Sequence, residues 1–575
     1  MRNFVHNLIA RLPLDFRVLY RQFLLRVIDL EALSIQADVV GFIGQFVGVL
    51  IMVSFFYSIG GMLIFTFGPP TTPAAAFLRV AWRTEQFSIA TMMLVIGLIT
   101  VVGWDATFPD RRDVMVLSPL PVAPHTILFA KLSASGALLG LAIFALNCVS
   151  GIVWPVLLGM RYGGSPGFFR FCAAWWFTMI AASVFLYCTV LTVQGFIALV
   201  FPRRIFLRLS AILQLGAFGL FLGVYFMQPT IKSLAAITAH ENQWVLAWSP
   251  SFWFFALFNQ LNGSLPSELA WLASRAWIGL AASVGGAVAS LVLCYLRTMK
   301  RTVEEPDLVP AARGRHWAPR IDSPLQSAIV LFSLRSLIRS RQHRVAFAFF
   351  MAIVFAIAFS VLRGELSAAV PGPLTPEFII PTFMMMVLAV LVLRCAFSLP
   401  ISLTANWVLR TTQLCPSQRY IAATRWSLLV LAVVPVWLLT AFLSLFLRPF
   451  HQVLGHLAVL AVLGYILVEI SLIGFYKVPF TCSYLPGKTN IQVIFWGFLI
   501  FATSVAIPFA LSEWNALQDL FQFTHLVAIL AATAAGLWVF NRHRAKSAVL
   551  YFEELPDELI MSLGIASPQP FKSGV

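Results

Sequence analysis

Apolar runs of about twenty residues, broken by short and mostly basic polar stretches, recur along the chain from Val39 to Phe540. A hydrocarbon core about 30 Å thick needs about 20 apolar residues wound as a helix, because in lipid each backbone amide must be satisfied within its own segment. The pattern therefore predicts about twelve spans, near 39-65, 86-104, 132-158, 171-200, 205-227, 271-296, 345-362, 378-402, 426-447, 456-476, 491-511 and 523-540. The first run is longer than the roughly 7–15 apolar residues of a signal peptide and follows a basic segment, so it reads as a retained span. The expected fold class is all-α: a polytopic membrane protein of about 12 transmembrane helices in two six-helix bundles.

Composition agrees: 60% of the residues are hydrophobic and only 11% charged, which excludes a water-soluble enzyme. The net charge of +16 sharpens the topology. With the N-terminus inside, cytoplasmic segments collect 30 Lys and Arg and external segments eight, placing both termini in the cytoplasm. Basic residues so distributed mark loops beside a bilayer and give no reason to expect a nucleic-acid partner.

The largest break in composition, Arg297 to Arg344, is rich in charge and proline and divides the chain into similar halves. The expected organisation is a basic amphipathic interfacial helix over 1-38, a first bundle over 39-300, a linker with a second interfacial helix over 301-344, a second bundle over 345-540 and a tail over 541-575. In the first interfacial segment Phe16, Leu19, Phe23, Val27 and Leu30 recur at helical spacing, and in the second Leu334, Leu337 and Ile338 form the apolar face beside Arg335 and Arg339. After the second and eighth spans, Trp104 to Leu132 and Asn406 to Trp426 each run through a basic turn, a proline, a short helix and a basic residue into the next span. That layout suggests a duplication.

The first of these loops carries the most chemistry: Asp110, Arg111, Arg112 and Asp113, then Leu117, Pro119, Leu120, Pro121 and Pro124. Prolines fix the backbone and cannot continue a helix interior, so the segment should be a stiff bent excursion with a short amphipathic helix between Asp110 and Leu117. A rigid knob hung from two spans can transmit a push from a soluble partner. Here the chain resembles the permease subunits of bacterial ABC exporters, on three features: Asp113 to Leu132 in the loop, Trp248 to Gly263 before the sixth span, and the basic helix ahead of the first span. The resemblance implies that the loop is a coupling helix seated on a separate ABC ATP-binding subunit, that an unknown small or amphiphilic substrate is exported across a bacterial cytoplasmic membrane, and that the chain has no ATPase site or cofactor of its own. It leaves open whether the chain acts as a homodimer. In the second half Cys415-Pro416 replaces the Leu-Pro signature.

Gly487-Lys488-Thr489 looks like the end of a phosphate-binding loop, but Cys482 stands where that loop needs a glycine and Pro486 removes an amide donor. Two charges, Arg394 and Glu469, fall inside spans at depths about 5 Å apart at about 1.5 Å per residue, so they could pair. A structural ion pair, a proton or substrate relay, and an Arg394 snorkelling to headgroups are the alternatives. The seven cysteines show no disulfide or zinc spacing, and of the nine histidines only His456 and His525 approach a span, so no metal centre is expected. Acidic residues from Glu553 to Glu558 suggest a solvated tail or a helix on the basic face. Two rival functions remain: a secondary transporter of the major facilitator type, which also has twelve spans and which Asp110-Arg111-Arg112 faintly echoes without its glycines, and a lipid-modifying enzyme, which needs clustered Asp, His or Ser at one membrane face where no such cluster is visible.

Overall fold

The computed structural model describes residues 13–28, 39–67, 74–103, 116–117, 119–227, 240–304, 323–340, 374–398, 416–445, 449–481 and 507–550, and residues 343, 358, 411, 504 and 505 singly. The seventh predicted span, most of the eleventh, the Gly487-Lys488-Thr489 turn and the acidic tail lie outside the described residues. Among the described residues every regular element is helical, and eight helices are long and apolar enough to cross a membrane. The chain is an all-α polytopic membrane protein.

In chain order the helices are α1 (Leu14–Ile28), α2 (Val39–Phe67), α3 (Ala74–Val102), α4 (Pro124–Asn147), α5 (Ser150–Trp154), α6 (Met160–Val200), α7 (Arg203–Met227), α8 (His240–Trp248), α9 (Pro250–Asn262), α10 (Ala270–Glu304), α11 (Pro324–Arg339), α12 (Pro376–Ala396), α13 (Ser417–Leu428), α14 (Val434–Leu445), α15 (Phe450–Leu472), α16 (Ile507–Ala516) and α17 (Leu520–Ser547). Several starts follow from local chemistry. Pro124, Pro250, Pro324 and Pro376 stand in the first turn of their helices, where the missing N–H costs nothing. The Ser323 side chain accepts from the Gln326 amide at 3.3 Å, capping α11. Between α13 and α14 the helix widens to a π turn over Leu429–Val433. Pro435 supplies the cause, since it has no N–H to return to the preceding turn and its ring pushes that turn's carbonyl aside.

Because lipid tails are as apolar as leucine, burying aliphatic side chains does not by itself drive helices together in a bilayer; close packing and interhelical hydrogen bonds do. The α6–α10 contact shows both. Ala181 and Ala182 on α6 and Ala273 and Ala276 on α10 are buried. Thr192 Oγ1 lies 3.3 Å from the Ser283 carbonyl and the Cys294 thiol 3.0 Å from the Gly195 carbonyl. Gly464 serves the same end on α15: a Cβ there would stand 2.7 Å from Val433 and 3.2 Å from the Met386 sulfur. The outward faces of α10 and α17 stay apolar and exposed, with Ile278, Val288, Val292 and Leu293 on one and Leu520, Phe521, Ile529 and Val539 on the other, as lipid contact requires.

Each apolar cluster among the described residues lies wholly before residue 295 or wholly after residue 336. The packing partners recur between these two groups. The amphipathic helix α1 lies on α4, as α11 lies on α13; α3 packs on α6, as α12 packs on α15; the short α9 lies on α3 and α10, as α16 lies on α12 and α17. The expected face of α11 is corrected in detail: Ile329, Val330, Ser333 and Leu337 are buried, whereas Ile338 is exposed.

Candidate functional site

The loop before α4 is built onto the first amphipathic helix. Leu19 and Phe23 of α1 are buried against Ile127, Ala130 and Ala134 of α4, and Leu117 and Val122 pack into the same cluster. Lys131 of α4 is buried with its Nζ 5.2 Å from the centre of the Phe23 ring. Between Leu117 and Val122 the backbone closes on itself: the Leu120 amide donates to the Leu117 carbonyl at 3.2 Å and the Val122 amide to the Leu120 carbonyl at 2.7 Å. Pro119 and Pro121 have no amide to contribute, so these two bonds and two fixed φ angles define the turn. Its surface is apolar: Val116 is 65% exposed and Leu120 49%, and Pro119, Pro121 and Pro124 are exposed beside them. Of the predicted coupling residues, Leu117 faces inward, Pro119, Leu120, Pro121 and Pro124 face outward, and Asp110, Arg111, Arg112 and Asp113 lie outside the described residues.

The intramembrane charges do not form the Arg394–Glu469 pair that their depths allowed. Glu469 is fully buried and meets Arg425 of α13, with Arg425 Nε 2.6 Å from Oε1 and Nη2 3.2 Å from Oε2. Asn541 of α17 donates to the same carboxylate and to the Glu469 carbonyl, both at 2.8 Å. One carboxylate thus ties α13, α15 and α17. Arg394 instead donates from Nε to the Ser471 carbonyl at 2.8 Å and from Nη1 to Ser398 Oγ at 2.9 Å, with its guanidinium 4.0 Å from the centre of the Phe475 ring. The physical reason lies in the helix start. α13 begins at Ser417 and runs on into the span, so Arg425 sits two turns inside a continuous helix rather than between a separate short helix and the span, at a depth where it reaches Glu469. The depth estimate for Arg394 and Glu469 says nothing of the face each presents.

A second polar cluster occupies the opposite end of the same group, where α12 and α15 begin. His456 is buried between Thr382, whose Oγ1 lies 3.0 Å from Nε2, and Glu513, whose Oε1 lies 2.6 Å from Nδ1. The other half holds a smaller counterpart: Asn259 of α9 donates to buried Glu85 of α3 at 3.4 Å and accepts from Ser264 at 2.8 Å. Gly263, at φ 76°, ends α9 in the left-handed conformation that glycine adopts without strain and turns the chain toward α10.

Arg425, Asn541, Thr382, Glu513, Glu85 and Asn259 were not singled out by the spacing of apolar runs. Glu85 and Arg425 fall one residue outside the predicted spans, and Glu513 two residues beyond one. A polar residue at the edge of an apolar run was the available signal. Among the described residues no three His, Cys, Asp or Glu side chains gather as metal ligands. No family model, curated protein or solved structure matches the chain.

Proposed function

We propose that the chain is the membrane-spanning component of an ATP-driven exporter, worked by a separate ABC-type ATP-binding subunit. The observation that carries this reading is the stiff turn from Val116 to Pro124, whose apolar surface faces away from the protein while its root, Leu117 and Val122, is packed on α1 and α4. Apolar side chains exposed on a loop between spans have no role in holding the bundle and fit the groove of a soluble partner. A push on the turn reaches α4 through Leu117 and α1 through the shared cluster, so the elements beneath it move as a unit.

In this reading the recurrent packing is that of two six-span bundles with both termini in the cytoplasm, set in a bacterial cytoplasmic membrane. Closure of the ATP-binding partners would rock one bundle against the other and alternate the side to which a small or amphiphilic substrate has access. The test is to change Val116→Asp and Leu120→Asp together. The variant keeps the wild-type thermal unfolding profile and loses an ATP-hydrolysing subunit that co-purifies with the wild type; retention of that subunit would overturn the reading. One observation favours a proton-coupled secondary transporter instead, the buried His456–Glu513 pair, and nucleotide-free flux driven by a proton gradient in vesicles holding this chain alone would select it.

A further inference from the structure

The short helices α9 and α16 share a sequence as well as a place. Phe255-Ala256-Leu257-Phe258-Asn259 and Phe509-Ala510-Leu511-Ser512-Glu513 match at the first three positions and put a polar residue at the fifth. Both fifth residues are buried, and both alanines are fully so. Asn259 reaches directly across to a carboxyl on α3; Glu513 is tied to α12 through His456 and Thr382. One position of a repeated element thus carries an amide in the first half and an ionisable group in the second.

The proton inventory of the second arrangement follows from its distances. Thr382 Oγ1 lies 2.8 Å from the Ile379 carbonyl and 3.2 Å from the Phe378 carbonyl, so its single hydrogen has a backbone acceptor on its own helix; when it is given there, the oxygen accepts from His456 Nε2–H. The 2.6 Å contact on the other side of the ring then needs one more proton, on Nδ1 as imidazolium facing carboxylate or on Glu513 facing a neutral imidazole. Either way the pair is electrically neutral. A second proton leaves a buried cation with no counter-charge, and loss of the shared proton leaves a buried carboxylate; both are costly away from water.

We propose that Glu513 and His456 form a proton-binding site that latches α16 onto α12 and α15, closed when the pair holds one shared proton and released when it gains a second. The other titratable groups on the packed elements are placed apart from it. Glu377 on α12, His451 on α15, His525 on α17 and Asp519, which caps α17, are exposed at the rim. Arg394 and Cys395 on α12, Tyr465 and Glu469 on α15, Arg419, Tyr420 and Arg425 on α13, and Arg542, His543, Arg544 and Lys546 on α17 belong to the opposite half of the group. Tyr465, the nearest of these along α15, is about 14 Å on from His456 at about 1.5 Å per residue, and exposed His451 about 7.5 Å away in the other direction. α14 and the π turn carry no ionisable side chain.

The test is amide hydrogen exchange of the full chain in lipid nanodiscs, corrected for the intrinsic pH dependence of exchange and followed at Ile507–Ala516 between about pH 7 and about pH 3, across the ranges where exposed His and carboxyl groups titrate. The closed pair already holds the proton that an exposed histidine takes up below about pH 6.5, so opening gains a second proton only below about pH 4.3: the wild type is level between these values and opens more readily below them, by up to about tenfold per pH unit. Glu513→Gln presents an amide to a neutral buried imidazole that gains a proton on opening, so opening in that variant rises from about pH 6.5 downward, and Glu513→Asn, the residue of the first half, does the same; His451→Gln and His525→Gln keep the wild-type profile. A wild-type profile that rises through the middle range, or a Glu513→Gln profile that stays level there, would overturn the proposal. Should Glu513→Asn fail to fold, Glu513→Gln and the wild-type profile still decide it.

Discussion

Replacing Arg425 with leucine isolates the electrostatics that hold one end of the second helix group. The Glu469 side chain is 0% exposed and that of Arg425 14%, so removing the arginine leaves a carboxylate sealed among α13, α15 and α17 with Asn541 as its remaining charge-stabilising contact from another helix. Breaking a buried pair from one side costs about 3–5 kcal/mol, because the desolvated charge left behind has lost its partner. At about 2–4 °C per kcal/mol for a unit of 150–250 residues, the loss of Tm is about 6–20 °C. Glu469→Gln does less damage: the substituted amide retains a carbonyl for Asn541, and Arg425, already partly exposed, can turn its guanidinium toward headgroups. The double variant Arg425→Leu with Glu469→Gln should recover part of the loss, a coupling of about 1–3 kcal/mol in a double-mutant cycle read by thermal unfolding in detergent. Arg394→Leu should show no such coupling to Glu469→Gln, since Arg394 is held by the Ser471 carbonyl, Ser398 and Phe475. An Arg425→Leu protein with wild-type Tm, or strong coupling through Arg394, would refute the assignment.

Three further outcomes are expected. Gly464→Leu forces a side chain into space already taken by Val433 and Met386 and should cost about 1–3 kcal/mol by thermal unfolding, as overpacking does. Leu117→Asp should lower thermal stability as well as partner binding, because Leu117 packs with Leu19, Phe23 and Ile127, whereas Leu120→Asp should affect partner binding alone. Ser323→Ala removes the cap of α11 and should destabilise its first turn by about 1 kcal/mol, seen as faster amide exchange near Gln326.

The apolar pattern exposed the helices because a membrane imposes length and composition on each one, and a run such as 378-402 has few other ways to satisfy its backbone. Helix starts were legible where proline marks them, as at Pro324 and Pro416; that the short helix expected after Pro416 runs on unbroken into the following span was not. That continuity is why the partner of Glu469 was not legible: Arg425 was expected just ahead of the span rather than within it, and the azimuth of Arg394 around α12 is invisible to a count of residues along the axis. The repeat at Phe255 and Phe509 was present in the sequence, but three matching residues stand out only once both helices are seen to occupy the same place against their neighbours. The turn at Val116–Pro124 was legible because its prolines dictate stiffness; that Leu117 faces inward and Val116 outward depends on α1, which only the packing reveals.

The claim on which the functional account depends is that the nucleotide is bound by another polypeptide engaged through the turn at Val116–Pro121. Photolabelling with an azido-ATP probe of the complex extracted gently from its native membrane tests this most directly. The account predicts label on a separate soluble chain that co-purifies with the wild type and is absent from the Val116→Asp, Leu120→Asp variant. Label on this chain itself, or label on a partner that the variant retains in full, would contradict it.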